Sequence, residues 1–178
     1  GSVANMSSMF NGTPFNHDIG SWDTSNVSTM VYMFTNTNQF DQDISRWNTS
    51  NVANMAYMFR NTARFNQDIS TKSVTGEGGT SYTAWDVSAV TSMDSMFDAA
   101  KAFNQDIGNW DTSAVKDMKK MFKGATAFNQ DLSGWVVAAD VVHDDFDQRA
   151  DAWCGLGFAN RGRPGNWDPL SDGVSCAV

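Results

Sequence analysis

Residues 40–59 read FDQDISRWNTSNVANMAYMF, and the chain restates this stretch with small variations from one end almost to the other. Tryptophans fall at Trp22, Trp47, Trp85, Trp110 and Trp135, with gaps of 25, 38, 25 and 25 residues. Five residues beyond each of the first four stands a valine (Val27, Val52, Val90, Val115), followed by the Met-x-x-Met-Phe groups that end at Phe34, Phe59, Phe97 and Phe122. A partial copy, Met6/Met9/Phe10, opens the chain. A second phenylalanine then precedes Ile19, Ile44, Ile69, Ile107 or Leu132 by four residues. Self-similarity at a fixed period of this length is the signature of stacked repeat architectures, in which no unit can bury its own apolar face.

Composition agrees. The 178 residues hold ten Met, twelve Phe and seven Trp, but leucine occurs only at Leu132, Leu156 and Leu170, as expected when one short template is copied several times. The net charge of −8 argues against a nucleic-acid backbone as partner and against adhesion to an anionic membrane. No apolar run approaches the roughly 18–20 residues that span a bilayer.

Phe-Asn-Gln-Asp-Ile alternates in character and is bounded by small polar residues, which predicts a short strand. Val-x-x-Met-x-x-Met-Phe repeats every three to four residues and predicts a helical or 3₁₀ turn, with Asp/Asn-x-Ser before it as a cap. Residues 3–135 therefore read as a five-turn α/β solenoid, interrupted by a Gly/Ser/Thr-rich insertion loop at 70–84. Residues 136–178 read as a C-terminal cap: Val142, Phe146 and Trp153 share one side of an expected amphipathic helix. Cys154 and Cys176, confined to this segment, fit one disulfide in an oxidising compartment, with two free thiols as the alternative.

The repeat resembles the 25–26-residue repeat of bacterial surface proteins and lipoproteins grouped with the BspA-like leucine-rich repeats, matched at Phe40–Phe59 almost letter for letter. The resemblance covers about residues 3–135. It implies a leucine-rich-repeat-like fold with parallel strands along one side, a secreted or cell-surface location, and adhesion or protein binding as the role.

Several rows of polar residues are candidates for that role. Asp41, Asn66, Asn104 and Asn129, with Asn16 above them, form a row that faces either ligand or water. Gln42, Gln67, Gln105 and Gln130 form an amide ladder. Asp43, Asp68, Asp106 and Asp131, below Asp18, form a carboxylate ladder. That ladder holds either a row of Ca²⁺ ions or, without any cofactor, backbone N–H groups at turn corners. In the insertion, Glu77 and Tyr82 are candidate contact residues. The two histidines, His17 and His143, stand in no catalytic motif, and none of the common nucleophile, zinc or phosphate-loop signatures occurs, so no enzyme is expected.

Two functions follow as expectations. One is a monomeric extracellular module that presents a rigid surface to a protein or glycan. The other is a structural spacer in a longer surface protein. A third, ice binding by a threonine row at Thr24, Thr49 and Thr112, is weakened by Val87 in the same column.

Overall fold

The computed structural model describes residues 3–150 together with 152 and 164. Cys154, Cys176 and Trp153 lie outside the described residues.

The repeat copies lie one over another in register, and their aromatic rings form columns. Phe34, Phe59, Phe97 and Phe122 stack at centroid distances of 5.5–5.7 Å. Phe40, Phe65, Phe103 and Phe128 stack at 5.8–6.0 Å, and Trp85, Trp110 and Trp135 at 6.2–6.3 Å. The rings are nearly parallel, in the offset arrangement that aromatic quadrupoles prefer. With Val27, Val52, Val90 and Val115, the methionines from Met30 onward and Ile44, Ile69 and Ile107 they make one continuous buried core. Removing each such side chain from water contributes roughly 1.5–3 kcal/mol, and that gain is available only between copies.

The expected α/β solenoid with a helical cap is not what the chain forms. Among residues 3–150 there is no α-helix, and the only strands are β1 (Lys72–Thr75) and β2 (Ser81–Ala84), antiparallel to one another. The Met-x-x-Met-Phe segments are runs of turns. In the second copy, the N–H groups of Met30, Tyr32, Phe34 and Asn36 donate to the carbonyls of Asn54, Ala56, Met58 and Arg60 in the next copy at 2.9–3.1 Å. The residues that follow the last three, Met33, Thr35 and Thr37, donate three residues back within their own copy. An α-helix would spend every N–H inside its own segment; here alternate ones point along the stack.

The backbone alternates because one residue between the two methionines is left-handed. Ser8, Tyr32, Tyr57, Ser95, Lys120 and Asp145 hold φ of 54–62° at this place. Four residues further on, Gly12, Asn36, Asn61, Ala99, Gly124 and Arg149 hold φ of 57–71°. Left-handed conformations are uncommon away from glycine and end a right-handed helix wherever they fall. Isolated parallel bridges link the copies on this side, from Asn5 through Thr29, Asn54, Ser92 and Asp117 to Val142.

The predicted strands on the other side are absent as well. Between copies, residues 40–44 and their equivalents are joined by side chains rather than by a backbone ladder. Nor is there a cap helix at 138–150. This stretch forms a further run of turns, with the carbonyls of Val142, Asp144, Phe146 and Gln148 accepting from Met118, Lys120, Phe122 and Gly124. Phe146 and Ala150 are buried, whereas Val142, expected on the apolar face of a helix, is exposed.

The insertion is not an open loop. Its strands β1 and β2 form a hairpin in the register Val74↔Tyr82, with a 3₁₀ turn at Glu77–Gly79 at the tip. Val74 and Ala84 are buried, so the hairpin is packed down and not a free excursion.

Candidate functional site

The hairpin folds back toward the N-terminal end of the stack. Tyr82 donates its hydroxyl to the carbonyl of Arg46 at 2.6 Å, and the Arg46 guanidinium donates to the carbonyl of Thr75 at 2.7 Å. At its base, Lys72 pairs with Asp68 at 2.6 Å and Thr71 exchanges hydrogen bonds with Asn109. The hairpin thus walls one side of a groove of about 870 Å³, and the first two copies supply the other. Asp18, Trp22, Asp23, Asp43, Arg46 and Tyr82 line it.

Each groove carboxylate is oriented by its own turn. Asp18 Oδ1 accepts the N–H of Gly20 at 2.9 Å, and Asp43 Oδ1 that of Ser45 at 2.9 Å. Asp23 Oδ1 accepts both the hydroxyl of Ser25 at 2.6 Å and its N–H at 3.0 Å. These bonds favour the ionised form and hold Asp23 below the usual carboxylate range; hydrogen bonds from Ser45 do the same for Asp43. In all three turns Oδ1 takes the bond. Trp22 is half-buried, its ring 5.9 Å from that of Phe10.

The carboxylate ladder follows one rule along its length. Asp68, Asp106 and Asp131 accept the N–H two residues on, at Ser70, Gly108 and Ser133, each at 2.9 Å. The corner reading of these aspartates is the geometry present. Among the described residues no three His, Cys, Asp or Glu side chains come together to hold a metal ion.

The Asn/Asp row is woven into the copy-to-copy junctions. Asn16 Oδ1 accepts the N–H of Asp41, and Asp41 Oδ1 that of Asn66, both at 3.0 Å. Asn66 then accepts from Asn104 at 2.8 Å, and Asn104 from Asn129 at 2.9 Å. The glutamine ladder donates to the same oxygens: Gln42, Gln67, Gln105 and Gln130 reach Asn16, Asp41, Asn66 and Asn104 at 2.8–3.0 Å. Asp41, Asn66, Asn104 and Asn129 therefore do not line the groove. Of the insertion candidates, Tyr82 does, and the Glu77 side chain lies outside the described residues.

The threonine row expected at the surface is inside. Thr24, Thr49 and Thr112 are buried, and their hydroxyls donate to the carbonyls of Asn48, Asp86 and Val136. A buried row offers no face to ice, and that reading is withdrawn.

Sequence reasoning missed Trp22, Asp23 and Arg46. Each occupies an ordinary repeat position, and only the return of a hairpin inserted many residues downstream distinguishes it. The one available signal was Arg46 itself, a long basic side chain where the other complete copies carry Ser21, Ala84, Asn109 and Gly134.

A tandem-repeat stack with one hairpin-walled groove is the class these features define. The chain belongs to the family described as Mycoplasma protein of unknown function, DUF285, whose model matches it twice in succession, at residues 1–79 and 76–153. No curated protein and no solved structure gave a match.

Proposed function

We propose that this chain is a non-catalytic, cell-surface or secreted binding module, and that its ligand, a protein segment or a glycan, enters the groove beneath the hairpin. The observation that carries the reading is the hairpin's return onto Arg46: a thirteen-residue excess in an otherwise regular repeat folds back to enclose carboxylates, a guanidinium and an aromatic ring. Concave sites with a few convergent polar groups on a rigid scaffold are where ligands bind. The groove volume falls within the ~300–1,000 Å³ of small-ligand sites.

The extracellular placement rests on sequence kinship. Residues 40–59 resemble the repeats of bacterial surface proteins and lipoproteins grouped as BspA-like, a likeness of letters and not of the α/β fold expected from it. The acidic balance speaks against nucleic acid as partner, and among the described residues no helix is long and apolar enough to cross a membrane.

Deletion of residues 71–83 is the test. It removes the groove wall and returns the spacing from Ile69 to Trp85 to the three residues found in the other copies. The intact chain and the deletion are screened in parallel against extracellular-matrix proteins and a glycan array. Binding by the intact chain that the deletion loses supports the reading. A spacer would show no binding in either form, and binding retained in full by the deletion would move the site elsewhere.

A further inference from the structure

The groove has a mixed lining that discriminates by charge. Its carboxylates Asp18, Asp23 and Asp43 share the space with the guanidinium of Arg46. An anionic ligand would meet three carboxylates against one guanidinium and be repelled, and a cationic one would gain from the carboxylates but leave Arg46, exposed among them, facing a like charge. A hydroxyl uses both kinds of group, because it donates to a carboxylate and accepts from a guanidinium in one contact. Beside these groups stands the half-buried ring of Trp22, packed at a 36° tilt to the ring of Phe10 with centroids 5.9 Å apart. A broad aromatic ring with a polar rim suits a ligand that is apolar on one face and hydroxylated at its edge.

We infer that the groove binds a neutral saccharide, its pyranose ring laid on Trp22 and its hydroxyls shared between Asp18, Asp43 and Arg46. The inference rests on the groove being the binding site. It adds the ligand class and the platform residue. Because Asp18, Asp23 and Asp43 each hold their own turn through Oδ1, the same oxygen in every case, Oδ2 of each is left to accept from a ligand without breaking the turn.

The test uses the whole chain with three soluble kinds of probe: neutral trisaccharides (maltotriose, cellotriose and N,N′,N″-triacetylchitotriose), hexalysine and a heparin hexasaccharide. Binding is followed by titration calorimetry and tryptophan emission. A neutral trisaccharide is expected to bind, with affinity about tenfold weaker in Trp22→Ala. Asp43→Asn should weaken it similarly while lowering the melting temperature only slightly, since an amide oxygen still accepts from Ser45; that variant separates loss of ligand from loss of fold.

Neutral-sugar binding that is indifferent to both substitutions overturns the inference. So does binding of hexalysine or the heparin fragment alone. If one of those two binds the intact chain but not the 71–83 deletion, the groove remains the site and only the saccharide assignment fails. If no probe binds and the deletion leaves every matrix or glycan interaction intact, both readings fail.

Discussion

The indole N–H of Trp110 donates to the carbonyl of Ile69 at 2.9 Å, and it is the one donor that this oxygen receives among the described residues. At equivalent junctions the carbonyl takes two. Ile44 accepts from the backbone N–H of Trp47 and from the indole of Trp85, and Ile107 from the N–H of Trp110 and the indole of Trp135. The hairpin causes the difference, because it carries Trp85 away from the place three residues after Ile69.

Trp110→Phe should therefore cost more stability than Trp135→Phe, although both remove an indole of similar burial. The first leaves the Ile69 carbonyl buried without a donor, a penalty of about 1–3 kcal/mol, whereas Ile107 keeps its backbone partner. Urea unfolding of the two variants measures the gap. Equal losses would contradict the account.

The same logic predicts a coupling. In the chain lacking residues 71–83, Ile69 and Trp85 stand three apart as in the other copies, so the backbone N–H of Trp85 can cap Ile69. Trp110→Phe should then cost no more than Trp135→Phe, and a double-mutant cycle between deletion and substitution should show a coupling of about 1 kcal/mol. The deletion itself should fold cooperatively, because the rings that stack on either side of the insertion are retained.

Asn66→Ala should loosen one junction selectively. Its Oδ1 accepts from the N–H of Asn104 and from Gln105, and its loss costs about 0.5–1.5 kcal/mol at this exposed edge. Amide exchange at Asn104 should quicken while that at Asn129 does not. Asn66→Asp should be tolerated, since Asp41 performs the same task one copy earlier.

At alkaline pH the critical group is Tyr57. Its hydroxyl donates to Asp94 Oδ2 at 2.6 Å, and that bond, with burial and the charge of Asp94, pushes its pKa up from 10.0 to about 12. The fold favours the neutral phenol, so the contribution is complete below pH 10 and is lost as pH rises from 10 toward 12. Melting temperature against pH should fall through this window in the parent and less steeply in Tyr57→Phe. Ultraviolet titration should show a late-ionising phenol that Tyr57→Phe removes.

At acid pH the sign reverses. Hydrogen bonds from the hydroxyl and N–H of Ser113 hold Asp111 below its ordinary value of 3.8. Its contribution is present above that value and is lost as pH falls through the lower folded one. Asp111→Asn should keep the turn, as Asn48 does with Ser50, and should melt with a smaller drop between pH 5 and pH 3 than the parent.

Much of this was legible in advance. The columns of Trp, Met and Phe and the place of the insertion follow from spacing and residue chemistry, whereas for the aspartates turn corners were one of two alternatives. The backbone path did not. Valine and methionine at helical spacing fit a helical turn, but Tyr32, Tyr57, Ser95 and Lys120 adopt the left-handed region there, and nothing in a tyrosine or lysine announces it. The continuation through 138–150 was hidden because the Met-x-x-Met-Phe letters disappear there, while Phe146 and Ala150 still fill the interior. The groove was hidden because its walls come from segments far apart in the chain.

By itself, then, the sequence determined that copies of one unit must pack on one another, because no single unit can bury its rings and a fixed period brings like residues into line. Only the tertiary structure decided how the backbone does so. Whether an N–H turns inward or toward the neighbouring copy depends on where the next copy's carbonyl lies, and that position exists only once the stack has formed. The same holds for the groove: a hairpin with a tyrosine is an ordinary surface feature until Arg46 of another copy stands within reach of it.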